Sequence, residues 1–179
     1  MKTKILTGCI VVLFTSGCSS VGTKVSVIER TDDLSKTPEW VSITKPTFEL
    51  DGKHYYLGHV EIDGESSKSA ALNMSDEKAL SEPLRSLLDQ FLDQNQVGED
   101  LTSSVGQRII SATRAFRPPM PSLQISKRYW EVIETRNGNA PGIGRLVVRA
   151  YSLAEISDAE LQKAKTAYFA RLNTNSEIK

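Results

Sequence analysis

The sequence predicts an α+β domain: a small antiparallel sheet of about three strands, helices packed on one face, order β-α-α-β-β-α. Three observations carry this. The aromatic and β-branched run His54-Tyr55-Tyr56-Leu57-Gly58-His59-Val60-Glu61-Ile62 lies between the turn pairs Asp51-Gly52 and Asp63-Gly64, as a strand does. Leu80, Leu84, Leu87, Leu88, Phe91 and Leu92 then recur at three- and four-residue spacings, the period of an amphipathic helix. Two alternating runs, 123–135 and 145–153, flank a glycine-rich stretch with Asn137-Gly138, a hairpin signal. Strands and helices ordered this way pack as a sheet covered by helices.

Taken in order, the chain opens on something other than the domain. Lys2 and Lys4 precede an apolar run at 5–14, and Thr15-Ser16-Gly17-Cys18 follows. A charged start, a short apolar core and a small-residue cleavage site make a secretory signal. The apolar run is half the length of about 20 residues that a membrane-spanning helix needs. The stretch Phe14-Thr15-Ser16-Gly17-Cys18 resembles the bacterial lipobox, with Thr15 where Leu is usual. That resemblance implies cleavage before Cys18 and acylation of Cys18. More than one acyl chain is needed for stable anchoring, and a triacylated cysteine meets that condition. Ser19, rather than Asp, follows the cysteine, and resemblance to the sorting pattern then points to the outer membrane; the periplasmic face is the side expected. The alternative is an ordinary secretory signal that leaves Cys18 as a thiol.

The divisions expected are a signal peptide at 1–17, a lipidated N-terminus and flexible tether at 18–36, a domain at 37–172 and a polar tail at 173–179. The tether is polar, with one short strand at 24–28, and holds the domain clear of the lipid headgroups. Trp40 begins the domain as a plug under the sheet. In the strand at 54–62, Tyr56, Gly58, Val60 and Ile62 share a face. The helix at 66–95 begins with Ala70, Ala71 and Ala79, small enough for close approach to a sheet. Pro83 interrupts it and either kinks or breaks it. A second helix over 101–116 ends at Pro118, Pro119 and Pro121. After the hairpin, Ser157-Asp158-Ala159-Glu160 is a capping box, opening a helix with Leu161, Ala164, Tyr168 and Leu172 on its apolar stripe.

Composition removes several function classes. Loss of Lys2 and Lys4 with the signal leaves a net charge of −2 on a chain with 22 basic and 22 acidic residues. That balance suits no electrostatic nucleic-acid binder. Cys9 leaves with the signal and Cys18 is taken by lipid, so the domain has no cysteine for a disulfide, a metal or a nucleophile. His54 and His59 are five apart on one strand, hence on opposite faces, and do not chelate one metal together. The glycines at 138–144 lack the Lys-Ser/Thr pair and the following helix of a phosphate loop. Asp32-Asp33, Glu61 with Asp63, and Glu99-Asp100 read as solvated turns. No serine sits in a Gly-x-Ser-x-Gly elbow. No catalytic, cofactor-binding or metal-binding residue is therefore assigned, and the expectation is a non-enzyme without cofactor. Tyr129-Trp130 is the feature left over. Adjacent strand residues face opposite ways, so one ring enters the core. The other either marks a partner surface or lies under another element of the same domain.

The order of these features resembles a known group. Trp40-Val41, the strand Tyr55-Tyr56-Leu57-Gly58, an Ala-spaced helix (Ala71, Ala79, then Leu84 to Phe91), Tyr129-Trp130-Glu131, the strand ending Val147-Val148-Arg149-Ala150-Tyr151-Ser152-Leu153 and the helix from Ser157 are similar to the LPP-twenty, FlgP-like family of small bacterial lipoproteins. Gly142-Ile143-Gly144 and Pro83 depart from its usual run. The resemblance implies a small α+β domain on a lipid anchor, with no known active site and some members that build structures around the flagellum. It transfers no functional residue beyond Cys18. The expected function is a structural or assembly component of the cell envelope, bound to the membrane by lipid and to itself or another envelope protein. The alternatives are a monomeric binding protein, such as a pilotin-like escort, and a hydrolase in which a serine or carboxylate meets His54 or His59 in a pocket.

Overall fold

In the computed structural model the described residues are 23–31, 36–43, 45–64, 67–95, 116–137 and 144–176, with positions 106, 107, 109, 111 and 113. The chain is α+β, as expected. The sheet has five strands rather than three: β1 (Thr23–Arg30), β2 (Thr47–Leu50), β3 (Lys53–Asp63), β4 (Gln124–Asn137) and β5 (Arg145–Ser157). Its order is β1-β4-β5-β3-β2, and every neighbouring pair is antiparallel. Two long helices accompany the sheet, α1 (Lys68–Gln94) and α2 (Asp158–Ser176). The helix expected over 101–116 falls largely outside the described residues. Five of its six described positions are helical, Phe116 being outside the helix, and Ile109 is buried in the main core.

The two extra strands have different causes. β2 and β3 form a hairpin whose turn residues Asp51 and Gly52 have φ of 52° and 71°. Two consecutive positive φ values define the I′ turn that matches strand twist, which is why Asp-Gly stands there. β1 lies inside the stretch expected to be tether, with a short strand expected over 24–28 but not as part of the sheet. It pairs with β4 from Thr23 to Arg30, and the Thr31 hydroxyl extends the pairing by accepting from the Trp130 N–H at 2.7 Å. The folded sheet thus begins at Thr23, not at 37. Likewise α2 runs to Ser176, four residues into the expected tail.

The helices cover one face. Tyr56, Gly58, Val60 and Ile62 of β3 share it with Val148, Ala150, Ser152, Ala154 and Ile156 of β5, by the pairing register. The buried row of α1 is Ala71, Ser75, Ala79, Pro83, Leu87 and Phe91, a four-residue repeat with its small residues toward the N-terminus. This row is displaced from the expected stripe: Leu80 is exposed, and Leu84, Leu88 and Leu92 are only partly buried. The small residues bring helix and sheet together at Gly58. A Cβ there would lie 2.0 Å from the Ser75 carbonyl oxygen and 2.7 Å from the Ala79 nitrogen. Leu161, Tyr168 and Leu172 of α2 close the same core, as their spacing predicts.

Pro83 does not break α1, which is continuous from Lys68 to Gln94. Proline removes one helical hydrogen bond and costs about 3 kcal/mol in a helix interior. Here it lies in the buried row between Ala79 and Leu87, both packed in the core, and packing on either side holds the axis together. The capping box is half realised. The Ser157 hydroxyl accepts from the Glu160 N–H at 3.4 Å, but the Glu160 carboxylate accepts the Ser122 N–H at 2.8 Å. It ties α2 to the turn before β4.

Candidate functional site

The side chains of interest lie on the sheet face opposite α1. Strand alternation sends His59 and Glu61 of β3, Arg149 and Tyr151 of β5, and Tyr129 and Glu131 of β4 to that face. The strand order brings them side by side. Arg149 Nε donates to Glu61 Oε1 at 2.6 Å, and its Nη1 lies 3.8 Å from Glu131 Oε1. The Tyr129 hydroxyl donates to Glu131 Oε2 at 2.9 Å. The His59 ring stacks on Tyr151 with centroids 4.5 Å apart, and Nε2 lies 3.6 Å from Glu61 Oε1. Glu131 is a buried carboxylate, and such a group is tolerated where a cation and a hydrogen bond match it.

Residues 36–43 carry side chains onto this face. Thr37 Oγ1 is 3.4 Å from the Tyr129 hydroxyl. Pro38 then leads into a 3-10 turn, Glu39–Ser42, closed by the Val41 N–H to the Pro38 carbonyl at 3.0 Å. Trp40 in that turn is half-buried. Burial raises the Tyr129 hydroxyl above its usual pKa, offset by the Thr37 bond and reinforced by the Glu131 bond. Tyr151 is raised first by burial as well. His59 is pushed below the usual histidine value, first by burial, with Lys78 and Arg149 acting the same way against Glu61 and Glu131.

A cleft of about 600 Å³ adjoins this network at the edge of β3. Val41, Ile43 and Pro46 form one wall, Leu57, His59 and Tyr151 the floor, and Lys78, Glu82, Arg85 and Asp89 of α1 the other wall. The floor is a strand edge. β2 pairs with β3 only over Lys53 to Tyr56, and the Leu57 N–H then bonds the Pro46 carbonyl at 2.8 Å. Alternate residues of a strand aim their backbone groups the same way, so His59 and Glu61 present N–H and C=O to that edge. Lys78 Nζ already donates to the His59 carbonyl at 3.0 Å. Among the described residues no strand pairs with His59–Asp63 on this side.

Compared with known protein families, curated proteins and solved structures, the chain finds no match.

Tyr129 is fully buried, so it offers no partner surface; it is an inner member of the network. Trp130 is half-buried on the α1 face, against Ala71, Val132, Val148 and Ala150, with Lys68 Nζ 4.3 Å from its ring centre. Tyr129 is thus covered by its own domain, and Trp130 is covered in part. Cys18, Asp32-Asp33, Glu99-Asp100 and the glycines at 138 and 142 lie outside the described residues. Glu61 and Asp63 are paired with Arg149 and Arg145.

The histidines do lie on opposite faces. His54 Nε2 is 2.9 Å from Asp158 Oδ1, beside a second cavity of about 380 Å³. The His54 bond, then Gln162, holds the Asp158 carboxyl below its usual range. Asp158 opens α2, so this pair fastens the helix start to β3. Ser86 across that cavity accepts from Gln90 at 3.3 Å. Among the described residues no group of three or more His, Cys, Asp or Glu is placed to hold a metal ion. No described helix is long and apolar enough to cross a membrane.

Two clusters were not picked out from sequence. One is the Glu61–Arg149–Glu131–Tyr129 network, whose signal is the shared parity of 59 and 61, 129 and 131, 149 and 151. The other joins α1 to the sheet. Ser152 Oγ donates to Asp76 Oδ1 at 2.5 Å and lies 2.6 Å from Ser75 Oγ, while Arg128 Nε bonds both Asp76 oxygens at 3.0 Å. Ser75 and Ser152 are wholly buried, so this cluster serves packing.

Proposed function

We propose that this protein is a lipid-anchored component of the bacterial cell envelope, held at the periplasmic face of the outer membrane through Cys18, that works in assembly by docking an extended segment of another envelope protein. The observation that supports docking is the β3 edge over His59–Asp63, which no described strand pairs and which runs out from the floor of the cleft. An added strand takes its affinity from main-chain hydrogen bonds and its specificity from pockets for alternate side chains. Leu57, Val41 and Ile43 supply apolar contact. Lys78, Glu82, Arg85 and Asp89 alternate in sign along the other wall, which suits a segment of mixed charge. The buried Glu131–Arg149 network stiffens the face beneath. The flagellum is the assembly that the family resemblance suggests as the destination.

Site-specific photocrosslinking in whole cells tests this. A photoreactive residue at Ile43 or Arg85, on the two walls of the cleft, is expected to trap one discrete envelope protein. The same residue at Leu50, on the β2 edge, is expected to trap none. Loss of fatty-acid labelling and of membrane fractionation in Cys18→Ala checks the anchor separately. If an anchored, folded protein gives no adduct from either wall, the docking reading fails.

A further inference from the structure

We infer that the β1 edge of the sheet rests on the membrane surface, with Val25, Val27 and Ile28 as its lipid contacts. The inference rests on the proposed acylation of Cys18.

Among the described residues β1 pairs with β4 alone and forms an edge of the sheet. Val25, Val27 and Ile28 are 53%, 38% and 58% exposed. Val25 and Val27 stand opposite Thr135 and Ile133, on the face away from α1, and Ile28 is the extra residue where the register shifts between Val27 and Glu29. Three of four consecutive positions thus offer large apolar side chains to solvent on an edge strand. Edge strands are ordinarily blunted or covered, and an uncovered apolar cluster marks a contact surface.

Chain length says what covers it. Four residues separate Cys18 from Thr23. An extended chain advances at most about 3.6 Å per residue, so Thr23 lies within about 18 Å of the acylated cysteine. The polar layer on each side of the hydrocarbon is about 5–8 Å deep. The strand tied closest to the lipid is the one that leaves three large apolar side chains uncovered within four positions. Apolar groups at such a surface settle about 5–10 Å into the headgroup boundary. The sheet order then sets the outlook of the cleft. β3 is three strand spacings from β1, about 14 Å at roughly 4.8 Å each, so the docking edge faces away from the lipid.

The test uses full-length protein acylated in cells and reconstituted in phosphatidylethanolamine–phosphatidylglycerol vesicles. Cys9 leaves with the signal and an acylated Cys18 does not react with thiol reagents. Val25→Cys, Val27→Cys and Ile28→Cys therefore each give a single site for an environment-sensitive fluorophore. Leu50→Cys is the control, on the opposite edge and 55% exposed. The expected result is blue-shifted emission at 25, 27 and 28 that brominated acyl chains quench, with neither effect at 50. Emission at 25, 27 and 28 equal to that at 50, from protein that floats with the vesicles, overturns the inference and leaves the anchored reading standing. Protein that is neither acylated nor floating overturns both. A blue shift that bromine does not quench and that grows with protein density assigns the strand to a second copy of the chain, and overturns the inference too.

Discussion

Gly58 is required by approach rather than by backbone angle. Its place on β3 faces the backbone of α1 at Ser75 and Ala79, so a methyl group there meets main chain that cannot rotate away. Gly58→Ala is expected to destabilise the fold by about 3 kcal/mol or more, at the upper end for overpacking, read from urea midpoints. His59 acts through ionisation. Burial lowers its folded pKa, while the unfolded value stays at about 6.5. Between those values the unfolded chain binds more protons. The stability that His59 contributes is therefore complete above about pH 6.5 and declines as pH falls through the lower folded pKa. Urea midpoints of wild type and His59→Gln should diverge on acidification across this window, the wild type losing more. A difference that stays flat from about pH 7.5 to about pH 5 would mean that His59 is as exposed folded as unfolded. The carboxylates of Glu155, Asp158 and Glu160 are all held low, by Lys53, His54 and Ser122 in turn. Their contribution goes only at more acidic pH, and the variant comparison cancels it.

At the scale of elements, α1 is the piece on which the fold turns. It contacts β3, β5 and β4, and its N-terminal half does so with small residues. The seam is polar where Ser75, Asp76 and Ser152 meet. A buried polar group left without a partner costs about 1–3 kcal/mol. Ser152→Ala should cost that much, since it strips a donor from Asp76 and a partner from Ser75. Ser75→Ala and Ser152→Ala together should cost less than the sum of the two, because either change alone already removes the 2.6 Å contact between the two hydroxyls. Additive costs in a double-mutant cycle would show that the hydroxyls act independently. The continuity of α1 through Pro83 belongs to the same scale: a local rule gives a kink or break, and contacts on both sides of the proline keep one helix.

At the scale of the whole molecule, β1 makes the N-terminal stretch part of the domain. A fragment of residues 37–179 leaves the β4 edge without its partner and uncovers the flank of Ile133, which is buried in the intact sheet. Burying one large apolar side chain is worth about 1.5–3 kcal/mol. We expect residues 37–179 to be less stable than residues 23–179 by about 2 kcal/mol or more, or to aggregate through the bared edge. Equal urea midpoints would show that β1 pairs without contributing. The same geometry separates two roles across one sheet, with the anchor at the β1 edge and the docking cleft at the β3 edge.

Local pattern was enough for much of this. The β3 run, the helical period after it, the β4–β5 hairpin and the stripe of Leu161, Ala164, Tyr168 and Leu172 each follow from residues within a turn or two of one another. The opposite facing of His54 and His59 follows from strand parity alone. Asp51-Gly52 carried the signal for β2 as well, since two left-handed residues in a row serve a tight hairpin. Three things needed the tertiary structure. β1 is short and polar-flanked, and its partner β4 lies about a hundred residues on, so nothing local marks it as part of the sheet. The exposure of Tyr129 and Trp130 depended on what lies over each face, namely residues 36–43 on one and α1 on the other. The network of His59, Glu61, Glu131 and Arg149 exists only because β4, β5 and β3 are neighbours. Alternation tells which residues of a strand share a face; which strands share a sheet is settled by contacts between residues far apart in the chain, and those form only when the whole core closes.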